Sequence, residues 1–311
     1  MIDSYGRKIE YLRLSITDLC NLRCKYCMGE DGVCKKDHNG ILSIEDMTTI
    51  AKVFHDKGVK KLRVTGGEPL VRKGFDTLAR NLGKIGFDTL AVTTNGILLP
   101  KYAQTLLECG FSRVNISLDS LDTQVYCSVT RGGDLALALK GIEVAKDTFD
   151  KVKVNAVLMK GINDNQIESF AEFGANMGVE VRFIELMPFE SSLDFARGKF
   201  ISTDEVVSGL NLTFVGEEGN CRTYQFADGK KVGFIAPKSH KFCPSCNRVR
   251  VTADGKLLNC LHENCEYDLT PFLADETTLS NRIDQVIKRK PLCHNIYEKD
   301  AQTRPMSNIG G

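Results

Sequence analysis

Cys20, Cys24 and Cys27 fall within the eight residues CNLRCKYC (20–27), spaced C-x3-C-x2-C. Thiols this dense bind metal, pair as disulfides or act as nucleophiles. A structural zinc site takes four nitrogen or sulfur ligands, and this loop supplies three. Cys34 and His38 are candidates for the fourth. Three thiolates on a [4Fe–4S] cubane instead leave one iron without a protein ligand, in contrast to the usual four-cysteine set. That iron can take a small molecule, and Tyr26 sets an aromatic face beside it. A second group lies far along the chain, in FCPSCNRVR (242–250) followed by Cys260. Its spacing is C-x2-C-x13-C over Cys243, Cys246 and Cys260, and with Cys265 it would suit a zinc ribbon. Against that stand Arg248 and Arg250, at i and i+2 on a strand-like run and so on one face. Their planar forks suit phosphate, which a purely structural site does not need. Taken without the cysteines, the pair reads as a solvated strand face.

The rest of the chain limits the choices. It has 311 residues, 12 cysteines and a net charge of +1. The opening MIDSYGRKIEYL has no apolar leader, so a cytoplasmic chain with reduced thiols is expected. Clustered cysteines then read as metal ligands or catalytic groups, and the isolated Cys109 and Cys127 as small buried hydrophobes. Near-neutral charge argues against generic nucleic-acid binding. No run of 18 apolar residues suggests a membrane span.

The elements that would position these groups follow a βα rhythm through about residue 190, the pattern of a parallel sheet. Strands are expected at 11–17, 60–66, 89–95, 113–119, 151–159 and 179–187. Ser43 and Asp46 form a capping-box start for a helix over 44–56. Apolar residues at helical spacing mark further helices from Phe75 to Ile85 and from Leu135 to Phe149. Six units are fewer than the eight of a closed barrel, and periodicity alone does not separate a barrel from a doubly wound sheet. Strand ends reading TGGEP, TTNG, SLDS, KGIND and ELMP, with the first cysteine loop, make one polar rim where ligands bind in such folds. Beyond it, 191–202 reads as a loop and 203–210 as a short helix. Hairpins are expected at 221–236, turning at Asp228-Gly229, and at 248–261, turning at Asp254-Gly255. A helix over 276–289 follows. The expected division is 1–195 and 196–311, the latter a smaller α+β appendage without a broad core of its own.

RLSITDLCNLRCKYCM with GGEP resembles the radical S-adenosylmethionine (SAM) superfamily. FCPSCNRVRVTADGKLLNCL, RFIELM and the ending RPMSNIGG narrow the resemblance to the GTP 3′,8-cyclases of molybdenum cofactor biosynthesis, over residues 5–311. It implies an α/β fold, a partial (βα)6 TIM-like barrel closed by the C-terminal α+β region. One [4Fe–4S] cluster would sit on Cys20, Cys24 and Cys27, and a second on Cys243, Cys246 and Cys260. By the same resemblance Tyr26, Gly67, Ser117 and Met187 contact SAM. Arg13, Arg63, Thr93, Lys153, Arg248 and Arg250 bind GTP, and Arg182 is a further pocket arginine. Gly310 and Gly311 reach into the active site, where side chains would clash. A 5′-deoxyadenosyl radical would take hydrogen from C3′ of GTP, and C3′ would then attack C8 of guanine. Implied partners are the substrate GTP, an electron donor and the next enzyme of the pathway; a homodimer is left open. Cys265 is expected to stay off the second cluster. The alternatives are another twin-cluster radical SAM enzyme, such as a peptide-modifying maturase, and a structural zinc protein.

Overall fold

A computed structural model describes residues 1–32, 40–294 and 302–310. Cys34, His38 and Gly311 lie outside the described residues. The βα rhythm is realised as β1 (Tyr11–Ser15), α1 (Ile44–Asp56), β2 (Lys61–Thr65), α2 (Phe75–Gly83), β3 (Thr89–Thr94), α3 (Leu99–Glu108) and β4 (Phe111–Ser117). Two helices follow, α4 (Thr123–Thr130) and α5 (Leu135–Thr148), then β5 (Lys151–Leu158), α6 (Ile167–Met177) and β6 (Glu180–Glu185). Helix α1 starts as its sequence requires: Ser43 accepts from the Asp46 amide and Asp46 caps back. Gly58, Gly86, Gly110 and Gly178 all take positive φ after helices, where a Cβ would be strained.

The strands run parallel and in register, and Leu12, Leu14, Leu62, Val64, Val92, Val114 and Val154 are buried among the helices. This is the outer layer of the core. The opposite strand face carries polar and cationic residues, Arg13 level with Arg63 across β1 and β2. A strand that alternates in this way presents apolar residues to the helices and polar ones to the interior.

The C-terminal region comprises α7 (Leu193–Lys199), α8 (Thr203–Gly209), β7 (Thr213–Glu218), β8 (Cys221–Gln225), β9 (Lys231–Ile235), β10 (Arg248–Val251), β11 (Lys256–Leu258), β12 (Tyr267–Asp268), α9 (Glu276–Ile287) and α10 (Met306–Ile309). Both expected hairpins form, as antiparallel β8–β9 and β10–β11. The region is not an appendage. β10 pairs parallel with β1 and β9 pairs parallel with β6, so it extends the barrel sheet at both edges. Its apolar residues Val232, Phe234, Val249, Val251, Ile283 and Val286 join the main core. Hairpin patterns show local pairing but not which distant edge a hairpin joins. The stretch read as a loop contains α7, because Phe195 and Ala196 pack against the Tyr26 side of the cysteine loop, a contact local pattern does not reveal. Cys109 is buried as expected, whereas Cys127 is exposed on α4. Among the described residues no helix is long and apolar enough to cross a membrane.

Candidate active site

The chain leaves β1 and enters the first cysteine loop directly. Within it the Arg23 guanidinium donates to the carbonyls of Cys20 at 2.6 Å and Leu22 at 2.8 Å. Arg131 donates to the carbonyls of Arg23 and Met28, each at 3.0 Å. The Leu22 amide donates to Cys20 Sγ at 3.3 Å, and the Cys27 amide to the Cys24 carbonyl at 2.9 Å. The GGEP turn after β2 lies backbone against backbone on the lead into this loop. The Gly67 amide donates to the Thr17 carbonyl at 2.8 Å. A Cβ at Gly67 would sit 2.5 Å from the Leu19 carbonyl oxygen, and one at Gly66 2.7 Å from that of Thr17. Only glycine allows this approach. Glu68 ties the next strand end in place, accepting from Asn95 N at 2.7 Å, Thr94 Oγ1 at 2.8 Å and Leu70 N at 3.0 Å. Tyr26 is buried and donates to Asp119 Oδ2 at 2.8 Å.

Burial controls the electrostatics here. It pushes the Cys20 thiol up to about 11 and Cys27 to about 12, and Cys24 well above its ordinary value with Asp119 adding to the effect. It also raises Glu68 to about 7 and Asp119 to about 6. Buried thiols of this kind ionise when a metal compensates the charge.

The second triad is assembled from separate segments. Cys243 opens a single 3-10 turn, Cys246 leads into β10, and Cys260 follows β11. The buried Lys290 donates to the carbonyls of Arg248, at 2.8 Å, and Asn259. Burial acts to raise Cys246, but the charges of Lys290 and Arg248 outweigh it and hold the thiol below its ordinary value. Burial keeps Cys260 raised.

All six cysteines line one cavity of about 280 Å³. Around its wall, buried polar atoms have no hydrogen-bond partner among the described residues: Arg13 Nε, Thr65 Oγ1, Asn155 Oδ1, Asn259 Oδ1 and the Nδ1 atoms of His262 and His294. Orphaned polar atoms on a cavity wall fit a polar ligand. Two sets of three thiols at one cavity fit iron–sulfur clusters with an iron left open to ligands. Among the described residues no three or more His, Cys, Asp or Glu side chains are disposed to hold a single metal ion. Cys265 is exposed and off the cavity wall.

The cavity gathers most of the residues singled out from the sequence: Tyr26, Gly67, Ser117 and Met187, and likewise Arg13, Thr93, Arg248 and Arg250. Arg63, Lys153, Arg182 and Gly310 are not on its wall. Arg63 donates to the Tyr11 hydroxyl and, at 3.3 Å, to Thr93 Oγ1. Lys153 and Arg182 pair with Glu180 and Glu218. Gly310, at φ +72°, lies between Ser15 and Thr65; a Cβ there would be 2.5 Å from Thr65 Oγ1. Arg250 donates to the carbonyls of Ile309, at 3.3 Å, and Gly310, so the tail is docked beside the cavity rather than free. Arg304 anchors it further back, forked onto Asp254 at 3.0 Å on both oxygens and paired with Glu266.

Several residues that shape the site were not singled out from the sequence. Glu68, Asn95 and Asp119 lie in the quoted rim motifs, so strand-end position was the available signal. Arg23, Arg131, Lys290 and the His262–His294 pair, with rings 4.7 Å apart, carry no local signal. Tyr11 lies beneath three guanidiniums, those of Arg13 and Arg63 at 5.9 Å and Arg248 at 5.7 Å from the ring. These cations and the Arg63 hydrogen bond lower its hydroxyl to about 7 against burial, which acts to raise it.

Known proteins resemble this chain in sequence and in fold. Residues 14–174 match the radical SAM superfamily model and residues 179–296 the Molybdenum Cofactor Synthesis C model. The GTP 3′,8-cyclase of Alkaliphilus metalliredigens is 43% identical and that of Alkaliphilus oremlandii 44%, each alignment covering 100% of both chains. Among solved structures, Streptococcus suis SuiB bound to S-adenosylmethionine shares the fold, with a TM-score of 0.63 at 14% identity over 87% of this chain and 65% of that one. With a radical SAM barrel, a matching C-terminal region and full-length relatives at this identity, the chain belongs to the GTP 3′,8-cyclase family of the radical SAM superfamily.

Proposed function

We propose that the protein converts GTP into 3′,8-cyclo-7,8-dihydro-GTP, an early step of molybdenum cofactor biosynthesis, with SAM as co-substrate. The observation that carries this reading is the opening of both cysteine triads onto a single cavity. Cys20, Cys24 and Cys27 would hold one [4Fe–4S] cluster, and Cys243, Cys246 and Cys260 the other. When bound and reduced by an external electron donor, the first cluster supplies the one-electron cleavage of SAM that removes hydrogen from the ribose C3′ of GTP.

The chain's own residues position and shield. Tyr26, fixed by Asp119, offers SAM an aromatic face. Gly67 exposes backbone where a side chain would not fit, and Ser117 and Met187 complete that wall. Arg13, Thr93, Arg248 and Arg250 face GTP from the other side. Arg63, Lys153 and Arg182 add charge behind them. Arg250, Arg13 and Arg63 stand level across β10, β1 and β2, an array that suits a polyanion. Val157, Ile184 and Leu186 give the wall its apolar part and exclude water. Gly310, packed on Ser15 and Thr65, closes the site at the ends of β1 and β2. The product would pass to the next enzyme of the pathway.

Anaerobic reconstitution with iron and sulfide, followed by GTP, SAM and a reductant, tests this. The expected products are 5′-deoxyadenosine and cyclised GTP. Deoxyadenosine without GTP consumption would instead favour another twin-cluster radical enzyme, and formation of neither would overturn the assignment.

A further inference from the structure

The barrel interior holds more than the arginines on the cavity wall. Lys153 on β5 and Arg182 on β6 have side chains only 10% and 9% exposed. One carboxylate, from the end of edge strand β7, reaches both. Glu218 Oε2 lies 3.0 Å from Lys153 Nζ and 3.0 Å from Arg182 Nη2, and Oε1 lies 2.9 Å from Lys151 Nζ. These hydrogen bonds and charges hold the Glu218 carboxyl down at about 2. Glu180 joins the group through Lys153, at 3.0 Å, and Arg182. Three cations therefore face two carboxylates.

The two carboxylates are not equivalent. Glu180 is on β6 itself, in the middle of the sheet. The Glu218 side chain is 60% exposed, at the last residue of a strand that pairs on one side with β8. Gly219 follows at φ +67°. Asn220, next in the turn, lines the cavity and accepts from Arg248 Nη2 at 2.8 Å. The β7–β8 turn thus touches interior cations on β5 and β6 with one residue and on β10 with another, spanning the gap between the two edges of the barrel.

We propose that Glu218 competes with the phosphates of the substrate for Lys153 and Arg182, and so lowers the enzyme's affinity for GTP. The inference rests on the reading that a guanosine triphosphate occupies the cavity with its phosphates reaching Lys153 and Arg182, which stand behind the wall on the same strand faces as the wall residues Asn155 and Ile184. A phosphate chain and the Glu218 carboxylate both need the same donors, and a half-exposed carboxylate beside a glycine can leave at modest cost. Its return as product departs would assist release.

Equilibrium binding to the reconstituted holoenzyme tests this, with GTP and guanosine as ligands and Glu218→Gln, Glu217→Gln and wild type compared. Glu217 is exposed on the opposite face of β7 and controls for loss of one charge. Glu218→Gln should bind GTP about three- to tenfold tighter, the scale of a few screened ion pairs, with a gain that shrinks at high salt. Guanosine affinity and the Glu217→Gln variant should be unchanged. Unchanged or weaker GTP binding by Glu218→Gln overturns the proposal, as does an equal gain for guanosine or in Glu217→Gln. If wild type and variants all fail to bind GTP, the functional reading falls and the inference with it. Iron content equal to wild type in each variant confirms intact folding.

Discussion

The two cysteine triads share a cavity but are built in opposite ways. The first is a single loop of eight residues, fixed by Arg23 and Arg131 and packed on the GGEP backbone. Carboxylates lie near it, and its thiols are pushed up. The second draws Cys243, Cys246 and Cys260 from separate segments around the buried Lys290, and Cys246 is pulled down. The local loop is shielded by burial, whereas the dispersed site has a buried cation bonded to the carbonyls of Arg248 and Asn259 beside its cysteines. The contrast also fits different work: the first site faces the Tyr26 and Gly67 wall, the second faces the arginines.

The sharpest way to break this contrast is to remove one cysteine from each side. Cys24→Ala should abolish both SAM cleavage and GTP cyclisation. Cys246→Ala should abolish cyclisation while 5′-deoxyadenosine still forms. Chromatography of anaerobic reactions reads both, and equal loss of deoxyadenosine in the two variants would erase the division of labour. The next effect is at the tail. Gly310→Ala must place a Cβ against Thr65 at positive φ, costing on the order of 1–3 kcal/mol. Cyclisation should fall at least about tenfold, with iron content and SAM cleavage retained. A smaller effect is expected at Lys290. Lys290→Met should lower iron retained at the second triad during gel filtration and leave SAM cleavage by the first unchanged, because it strips donors from the carbonyls of Arg248 and Asn259.

The last effect is on stability rather than turnover and concerns Tyr11. Its hydroxyl is depressed from 10.0 to about 7 in the fold. Its ionisation therefore stabilises the native state fully above pH 10, and that contribution is lost as pH falls through 7. Denaturant unfolding at a series of pH values should show wild type gaining on Tyr11→Phe between those limits. Parallel curves would contradict the placement of three guanidiniums around the ring.

The six βα units were readable because their strands and helices carry their own periodicity, and β1 to β6 fall within two residues of the expected spans, whereas their curling into a partial barrel was implied only by the family resemblance. The first triad was readable for the same reason, being local. Long-range relations were not. Nothing in RVRV specifies pairing with β1, and nothing in KVGFI specifies pairing with β6. Those choices depend on which edges remain open once six strands have formed. Lys153 and Arg182 were legible as interior cations, but not their partner Glu218, which lies on an exposed strand of low apolar content. Lys290 reads as one more surface charge until the fold buries it under the second triad.

In the proposed reading the triads are two separate cluster sites facing one cavity. Iron and sulfide analysis of anaerobically reconstituted protein tests it most directly, comparing wild type with Cys20→Ala/Cys24→Ala/Cys27→Ala and Cys243→Ala/Cys246→Ala/Cys260→Ala. Each triple variant should hold half the iron and half the sulfide of wild type. A second-triad variant that keeps the full complement, or a wild type whose second site carries zinc, would contradict the account.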